Sequence, residues 1–377
     1  MRLAIVTLPL HTNYGGLLQA YALKRCLESM GHEADVLDMV DKMPGPKCWK
    51  APMVYAARMF KRALKGSSGP EVFRERRFRR EFPVVSAETS VFVEKYISPR
   101  PVRSFKDVKE GEYDAFVVGS DQVWRPLYFP GVENAFLAFA EGWDVKRVAY
   151  AASFGTDDLE FEYVQLEECS KLLAEFDAVS VRESIGVKMC SEWFDRDDVV
   201  HVLDPVMLID SARIKEMADS SRSHVSAGKV MTYILDSSSH KRSIVDFIAR
   251  VSGKDVFDFP VNAYNREIPV SERVARPVED WLAAFADADF VVTDSFHGCV
   301  LSILLHKKFI AVGNSMRGMA RMQSLLDMFG LDSRLVHGID PEDDGEFFLS
   351  DPDWEQVDML LSERRKASID FLMDNLK

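Results

Sequence analysis

Short apolar runs alternate along the chain with longer segments in which apolar residues recur every three or four positions. The short runs predict buried strands, and the longer segments predict helices packed against them. The expected strands are residues 3–7, 34–39, 113–119, 147–152, 178–181 and 199–204 in the first half, and 229–235, 254–259, 289–293 and 309–312 in the second. Strands that alternate with helices in this way form parallel sheets covered on both faces.

The same pattern predicts the division into domains. Helices are expected at residues 17–30, 160–176, 240–251, 278–286, 322–329 and 354–375. Residues 211–229 are polar and rich in serine, which is typical of a linker. We therefore predict two doubly wound α/β domains that face a cleft, over residues 1–210 and 225–345. The last segment, 350–377, is expected to form a helix that packs back across both domains.

Charge is distributed unevenly over the 377 residues. The formal net charge is −13, which disfavours general binding of nucleic acid. Residues 42–80 nevertheless contain twelve Lys and Arg against two Glu, a local charge of +10, within a predicted helical insertion over about 42–105. A basic amphipathic stretch is typical of a solvated helical face, of a grip on an anionic substrate, or of peripheral contact with the inner membrane face.

Features that the sequence lacks indicate in which compartment the protein works and whether it needs a metal. No apolar run reaches the roughly 20 residues that a membrane span requires. The apolar N-terminus has no small-residue cleavage site and is interpreted as the first strand. The five cysteines are scattered and lack CxxC spacing, which favours a reducing cytoplasm and argues against zinc. No cluster has metal-ligand spacing, so we expect neither metal nor cofactor.

The most informative stretch is Val-Val-Thr-Asp-Ser-Phe-His-Gly, residues 291–298. It predicts a buried strand, a tight corner and the start of a helix. Ligands of open α/β sheets bind outside the carboxyl ends of the strands, where a helix N-terminus offers N–H groups to an anion. His297 is thus placed as an acid/base group beside a phosphate. The alternative is that Asp294 and Ser295 only cap the helix and that His297 is a turn residue.

Polar side chains also follow four earlier strands. The first strand leads to Asn-Tyr-Gly-Gly at 13–16, whose glycines allow close approach of a ligand or another loop. This corner matches neither a dinucleotide fingerprint nor a P-loop. Later strands end at Gly-Ser-Asp-Gln-Val-Trp (119–124), Ser-Phe-Gly-Thr (153–156) and Arg-Glu-Ser (182–184). Polar clusters at the carboxyl ends of strands are where binding sites lie.

Together these corners resemble those of the polysaccharide pyruvyl transferases. The resemblance rests on six motifs in order, NYGGLLQAYAL (13–23), GSDQVW (119–124), ASFG (152–155), SVRE (180–183), LDP (203–205) and TDSFHG (293–298). It implies two Rossmann-like domains in a GT-B-like architecture. It also implies an enzyme of surface-polysaccharide biosynthesis that transfers the enolpyruvyl skeleton of phosphoenolpyruvate to a sugar as a cyclic ketal.

The resemblance further implies roles for individual residues. His297 is the implied acid/base residue and Arg182 the implied ligand of phosphoenolpyruvate. Many relatives have Arg two residues before the histidine, where this chain has Ser295, so Arg317 and Arg321 are candidates for the missing cation. As a hypothesis, Asp121 orients His297 or accepts a proton from the sugar hydroxyl. The other expected substrate contacts are Asn13, Gly15, Gly16, Ser120, Gln122, Ser153 and Ser295.

Several alternatives stay open at this point. Tyr14 and Trp124 suit the apolar face of a sugar ring, but aromatic residues in such places also pack in cores. The acceptor is expected to be a sugar or a lipid-linked oligosaccharide, which the basic segment 42–80 would help to reach. The competing functions are a GT-B glycosyltransferase that uses a nucleotide sugar and a non-catalytic relative that binds a sugar or an anion.

Overall fold

The computed structural model describes residues 1–43, 45–46, 49–66, 70–313, 319–340, 342 and 344–377. The strands are β1 (Arg2–Val6), β2 (Glu33–Met39), β3 (Arg100–Val102), β4 (Ala115–Val118), β5 (Lys146–Ala152), β6 (Ala178–Val181), β7 (Val200–His201), β8 (Val230–Tyr233), β9 (Val256–Asp258), β10 (Phe290–Thr293), β11 (Lys308–Val312) and β12 (Leu335–Val336). The α-helices are α1 (Tyr14–Ser29), α2 (Ala51–Lys65), α3 (Arg74–Val85), α4 (Ala87–Phe92), α5 (Tyr163–Ala174), α6 (Ser184–Phe194), α7 (Ser211–Asp219), α8 (Ser239–Ser252), α9 (Val278–Asp287), α10 (Phe296–Leu304), α11 (Met319–Met328), α12 (Glu346–Leu349) and α13 (Trp354–Asn375).

These strands form two parallel sheets, one in each half of the chain. The first has the order β3-β2-β1-β4-β5-β6-β7 and the second the order β12-β11-β10-β8-β9. In each sheet the strand order reverses once, between β1 and β4 and between β8 and β10. Such a reversal opens a crevice at the carboxyl edge of a doubly wound sheet, where ligands bind. The predicted fold class, two doubly wound domains, is confirmed.

Alternation of buried side chains shows why these strands need cover on both faces. Leu3 and Ile5 of β1 belong to a large core shared by the two domains, whereas Ala4 and Val6 point into a second core. In the other sheet Val291 of β10 joins the shared core, and its neighbours on the strand point into a third core. Because one core contains strands and helices of both domains, the domains are packed directly on each other.

Two of the predicted segments differ from the structure, and helix α6 and strand β12 were not predicted. The predicted linker, 211–229, contains helix α7, which buries Ile214 and Met217 and packs against α9. Its apolar positions are few and lie among serines and charged residues, so the helical period is masked. The predicted helical insertion, 42–105, ends in β3, which pairs with β2 and extends the first sheet. A strand of three residues is too short to carry an alternating pattern.

The insertion and the C-terminal helix both contact each domain. Two contacts join the insertion to the second domain. Arg273 of the second domain donates to Glu81 of the insertion at 2.7 Å, and the Ala275 N–H donates to the Val85 carbonyl at 2.9 Å. At the start of α13, the Trp354 ring stacks on His306 of the second domain at 4.8 Å. Further along α13, the Ser368 hydroxyl accepts from the Leu203 N–H of the first domain. Helix α13 therefore lies across both halves.

Candidate active site

A cleft of about 1280 Å³ lies between the two domains. Its walls include the loops that follow β1, β4, β8 and β10, the four strands that flank the two reversals of strand order. The topology of each sheet therefore brings two polar corners to one crevice, and the packing of the domains brings the two crevices face to face.

His297 lies in the first turn of α10 and lines this cleft. The Ser295 hydroxyl accepts from the Gly298 N–H at 3.4 Å, so Ser295 caps the helix as the alternative interpretation proposed. The side chain is only 9% exposed, and its Nε2 lies 3.5 Å from Asp204 Oδ2. That distance is at the outer limit of a hydrogen bond, so the contact is chiefly electrostatic.

The other face of the imidazole lies against the start of α1. A Cβ atom on Gly15 would stand 2.1 Å from His297 Nδ1, which is far inside van der Waals contact. Only glycine allows this approach of helix and ring. The first-domain glycine corner therefore serves close contact with helix α10 of the second domain, and the acid/base candidate is held between the two domains.

Arg182 joins two buried carboxylates behind the cleft. Its side chain is 1% exposed and donates to Asp204 Oδ2 and to Asp121 Oδ1, both at 2.9 Å. The guanidinium also lies 4.3 Å from the centroid of the Phe296 ring, a cation–π distance. The arginine thus links the ends of β4 and β6, the segment after β7 and helix α10.

The ionisation of this cluster follows from its charges. Burial by itself would raise the pKa of Asp204, but His297 and Arg182 outweigh it and hold that pKa well below its usual range. Burial is likewise outweighed at Asp121, where Arg182, His297 and Arg321 lower the pKa. Both carboxylates are therefore ionised at neutral pH. Glu183 behaves differently, because burial dominates and raises its pKa.

Two arginines were candidates for the cation that is absent at Ser295, and Arg321 is the one that lies within the described residues. It lies in α11, a helix tied to the first domain by the Ser184 N–H, which donates to Ser324 Oγ at 2.9 Å. Its side chain lines the cleft. Burial and the neighbouring charge of Arg182 lower the pKa of Arg321 to about 10, against the attraction of Asp121. Arg317, the other candidate, lies outside the described residues.

The second-domain wall is organised by Asp294. Its carboxylate accepts from the Leu235 N–H at 2.7 Å, the Asp236 N–H at 3.2 Å and Lys241 Nζ at 2.6 Å. Asp294 therefore fixes the loop after β8 in place, a role other than the cap considered from the sequence. The next residues, Ser237 and Ser238 of that loop and Ser239 at the start of α8, are exposed on the cleft wall.

The predicted site residues fall into two groups. Those that line the cleft are His297, Asp121, Asn13, Gln122, Ser295 and Arg321. Those placed behind its wall are Arg182, Gly15, Gly16, Ser120 and Ser153. In the second group, Ser120 Oγ donates to the Ala151 carbonyl at 2.8 Å and Ser153 Oγ donates to Glu183 at 2.9 Å, so both hydroxyls stabilise the strand ends.

The two aromatic candidates are core residues. Trp124 is fully buried, stacks on Phe136 and donates to the Ala135 carbonyl. Tyr14 stacks on Trp281 at 5.3 Å, with its hydroxyl donating to the Arg276 carbonyl. Neither ring is free to stack on a sugar.

Sequence reasoning missed a contact between the domains at the cleft. The Tyr264 hydroxyl lies 3.0 Å from His11 Nδ1, and Thr12 Oγ1 donates to the Tyr264 hydroxyl at 3.2 Å. Burial, with a smaller contribution from Lys42, lowers the pKa of His11 to about 4, so this imidazole is neutral at pH 7. The only signal in the sequence was a histidine shortly after the first strand, which alone has little specificity.

The described residues form neither a metal-binding cluster nor a membrane-spanning helix. Among them, no group of three or more His, Cys, Asp or Glu side chains is arranged to hold a metal ion. Within the same ranges, no helix has the length and apolar composition needed to cross a bilayer. Cys26, Cys169, Cys190 and Cys299 are buried free thiols, and Cys48 lies outside the described residues.

The model of the polysaccharide pyruvyl transferase family matches residues 13–316. The chain belongs to this family. A search of curated proteins finds no match. Among solved structures, UDP-GlcNAc 2-epimerase from Neisseria meningitidis bound to UDP-GlcNAc is 12% identical, with all of both chains covered and a TM-score of 0.50.

A putative UDP-N-acetylglucosamine 2-epimerase from Listeria monocytogenes is 9% identical over 99% of this chain and 91% of that chain, also with a TM-score of 0.50. At such identities the likeness shows the fold alone. It agrees with the GT-B-like arrangement expected from the sequence, in which two Rossmann-like domains face a cleft.

Proposed function

We propose that this transferase moves the enolpyruvyl group of phosphoenolpyruvate to a pair of sugar hydroxyls, forming a pyruvate ketal during surface-polysaccharide biosynthesis. Membership of the family supports a transferase that modifies polysaccharide. The observation that carries the proposal is the position of His297, which lines the cleft with the ionised Asp204 3.5 Å behind it.

The reaction needs an acid/base group at two stages. A proton is delivered to the methylene carbon of phosphoenolpyruvate, and a sugar hydroxyl adds to the adjacent carbon and loses its own proton. Phosphate then leaves, and the second hydroxyl closes the ring with loss of a second proton. Histidine titrates near neutrality and serves both directions of transfer. The ionised Asp204 lies 3.5 Å from His297 Nε2, so its negative charge faces the ring.

Asp121 has a narrower role in this scheme. Its lowered pKa makes it a weak proton acceptor, and Arg182 holds one of its oxygens at 2.9 Å. We infer that Asp121 acts through its charge on the cleft wall, balancing Arg321 and stabilising positive charge that develops on the donor carbon.

The donor carries several negative charges and requires a fixed cation. Arg182 is engaged by two carboxylates and has 1% of its side chain exposed, so it organises the site from behind. Arg321 lines the cleft next to it, and binding of an anion would relieve the repulsion between the two guanidiniums. We therefore propose that Arg321 contacts the phosphate or carboxylate of phosphoenolpyruvate. Helix N-termini at the cleft wall add N–H donors.

The test is incubation of the purified protein with phosphoenolpyruvate and a panel of free and lipid-linked saccharides. Phosphate release is measured together with the mass of the saccharide. The proposal predicts acceptor-dependent phosphate release and a mass gain of one pyruvate less one water. His297→Gln should reduce both by at least about 100-fold, the scale of general acid–base catalysis.

Two results would overturn the proposal. Transfer of a sugar from a nucleotide sugar at this cleft, without use of phosphoenolpyruvate, would make the protein a glycosyltransferase. Wild-type rates in His297→Gln would remove the acid/base assignment even if the ketal formed.

A further inference from the structure

Helix α2 presents its apolar side to solvent. None of its residues is buried, and Met53, Phe60 and Leu64 have exposed fractions of 73%, 65% and 71%. With Ala57 they occur at positions separated by four, three and four residues, which places them on one stripe of the helix. An amphipathic helix on the surface of a globular protein normally turns such a stripe toward the core.

The opposite side of α2 is the one that contacts the protein. Arg58 lies about 140° around the helix from Met53 and donates to the Val72 carbonyl at 3.1 Å. The same guanidinium forms an ion pair with the buried Glu75 at 2.8 Å. Tyr55, also on this side, lies with its ring centroid 5.1 Å from that of Phe73. The orientation of α2 is thus fixed by these contacts, with the apolar stripe outward.

Basic residues lie along one side of the stripe. Lys50, Lys61 and Lys65 are exposed there, and Trp49, which is 72% exposed, extends the apolar surface beyond the start of the helix. The segment 42–80 carries +10 in a chain whose net charge is −13. Long basic side chains reach past an apolar stripe to anionic headgroups while aromatic and aliphatic side chains enter the interface.

We propose that α2 docks this protein on the surface of an anionic lipid bilayer. A second copy of the chain is a poorer occupant for two reasons. The stripe is about 17 Å long and one helix wide, and its area is far less than the ~800 Å² per partner that a stable interface buries. A symmetric pairing would also place the basic flanks of two α2 helices against each other, whereas a bilayer supplies the complementary charge.

The docking surface is linked to the cleft. Arg266 donates to Glu71 at 2.9 Å, and Arg273 donates to Glu81 at 2.7 Å, so α3 and the loop before it are tied to the second domain. Residues 260–265 of that domain line the cleft. A bilayer bound at α2 is therefore connected to a loop of the cleft through α3, which pairs with α2 by the Arg58–Glu75 ion pair. If the proposed function holds, this position suits an acceptor sugar carried on a membrane lipid.

The experiment measures cosedimentation of the full chain with vesicles of phosphatidylcholine alone or with about one third phosphatidylglycerol. We expect binding to the anionic vesicles, weaker binding to the neutral ones, and loss of binding at high salt. Phe60→Ser/Leu64→Ser should lower partitioning by at least about tenfold. Tyr163→Ser/Val164→Ser removes two exposed apolar side chains from α5 and serves as the matched control, which should bind like wild type.

The proposal fails if wild type binds neutral and anionic vesicles equally or not at all, or if Phe60→Ser/Leu64→Ser binds like wild type. It also fails if light scattering shows that the wild type is a dimer and that this variant is a monomer, since a second copy would then cover the stripe. Circular dichroism checks that both variants are folded. Vesicle binding needs neither phosphoenolpyruvate nor a saccharide, so its outcome is independent of the test of the proposed function.

Discussion

The two walls of the cleft hold their buried carboxylates in different ways. On the first-domain wall, Asp121 and Asp204 share the guanidinium of Arg182, which reaches them from a third strand end, and Asp204 also accepts the Val206 N–H at 3.0 Å. On the second-domain wall, Asp294 accepts two backbone N–H groups from the neighbouring loop and needs Lys241 for only part of its stabilisation. One wall is a network of side-chain charges, and the other is mainly a backbone anchor.

This difference indicates a division of labour. A charge network fixes the protonation states and positions of groups that act on a substrate, and it places Asp204 next to a histidine from the other domain. The backbone anchor only fixes a loop, whose exposed serines are left to contact a ligand. We infer that the chemistry belongs to the first wall together with His297, and that the second wall contributes mainly binding.

The largest effect should come from removing the shared guanidinium. Arg182→Met leaves two buried carboxylates without their common cation, and we expect a loss of about 3–5 kcal/mol in the free energy of unfolding. Urea unfolding measures it. Arg242→Met is the matched control, because Arg242 pairs with Asp258 in an exposed position and should cost under about 1 kcal/mol. A loss no larger than that of the control would contradict the network.

The contact of His297 with α1 is tested by Gly15→Ala. The new Cβ would stand 2.1 Å from the imidazole, so we expect overpacking to cost about 1–3 kcal/mol of stability. Gly16→Ala is the control one residue along the same helix turn, where the nearest atom is the movable Asn13 side chain at 3.1 Å. Alanine favours a helix over glycine by about 1 kcal/mol, so the control should be neutral or stabilising. Equal effects in the two variants would refute the contact.

The second wall should be less sensitive to loss of its cation. Lys241→Met removes one donor from Asp294 and leaves its two backbone N–H donors, so we expect a loss of about 1–3 kcal/mol, smaller than for Arg182→Met. The same urea titration compares them. If the two losses are equal, the walls do not differ in the way we describe.

The smallest effect concerns pH and the His11–Tyr264 contact. The pKa of His11 is about 4 in the folded protein, and its ordinary value, which applies in the unfolded chain, is 6.5. As pH falls from 6.5 toward 4, the unfolded chain takes up the proton first, so stability falls through this range. The His11 contribution at pH 5 is a loss of up to ~2 kcal/mol. His11→Gln should reduce the difference in unfolding free energy between pH 7 and pH 5, and an unchanged difference would contradict the burial of His11.

The sequence predicted the parts of this molecule that depend on local patterns. Apolar runs located most strands, and the polar corners after them located both sides of the cleft. Contacts between residues that lie far apart in the sequence could not be predicted from local patterns. Arg182 meets Asp121 and Asp204, which lie 61 and 22 residues away, and these pairings bury a side chain that the motif alone assigns to substrate. The contact of His11 with Tyr264 spans 253 residues and leaves no local pattern. Strand β3 was missed because three residues are too few to show an alternating pattern. Helix α7 was missed because its few apolar residues show no clear helical spacing.

The most direct test of the central claim is a calorimetric titration of phosphoenolpyruvate into the wild type, Arg321→Gln and Arg242→Gln. The account predicts micromolar binding by the wild type, about −8 kcal/mol. Binding should be lost in Arg321→Gln, which removes the cleft-lining cation beside Arg182, and retained in Arg242→Gln, which removes a cleft-lining cation paired with Asp258. Binding that survives Arg321→Gln but is abolished by Arg242→Gln would place the donor at Arg242 and not at Arg321. A wild type that binds a nucleotide sugar and not phosphoenolpyruvate would contradict the account outright.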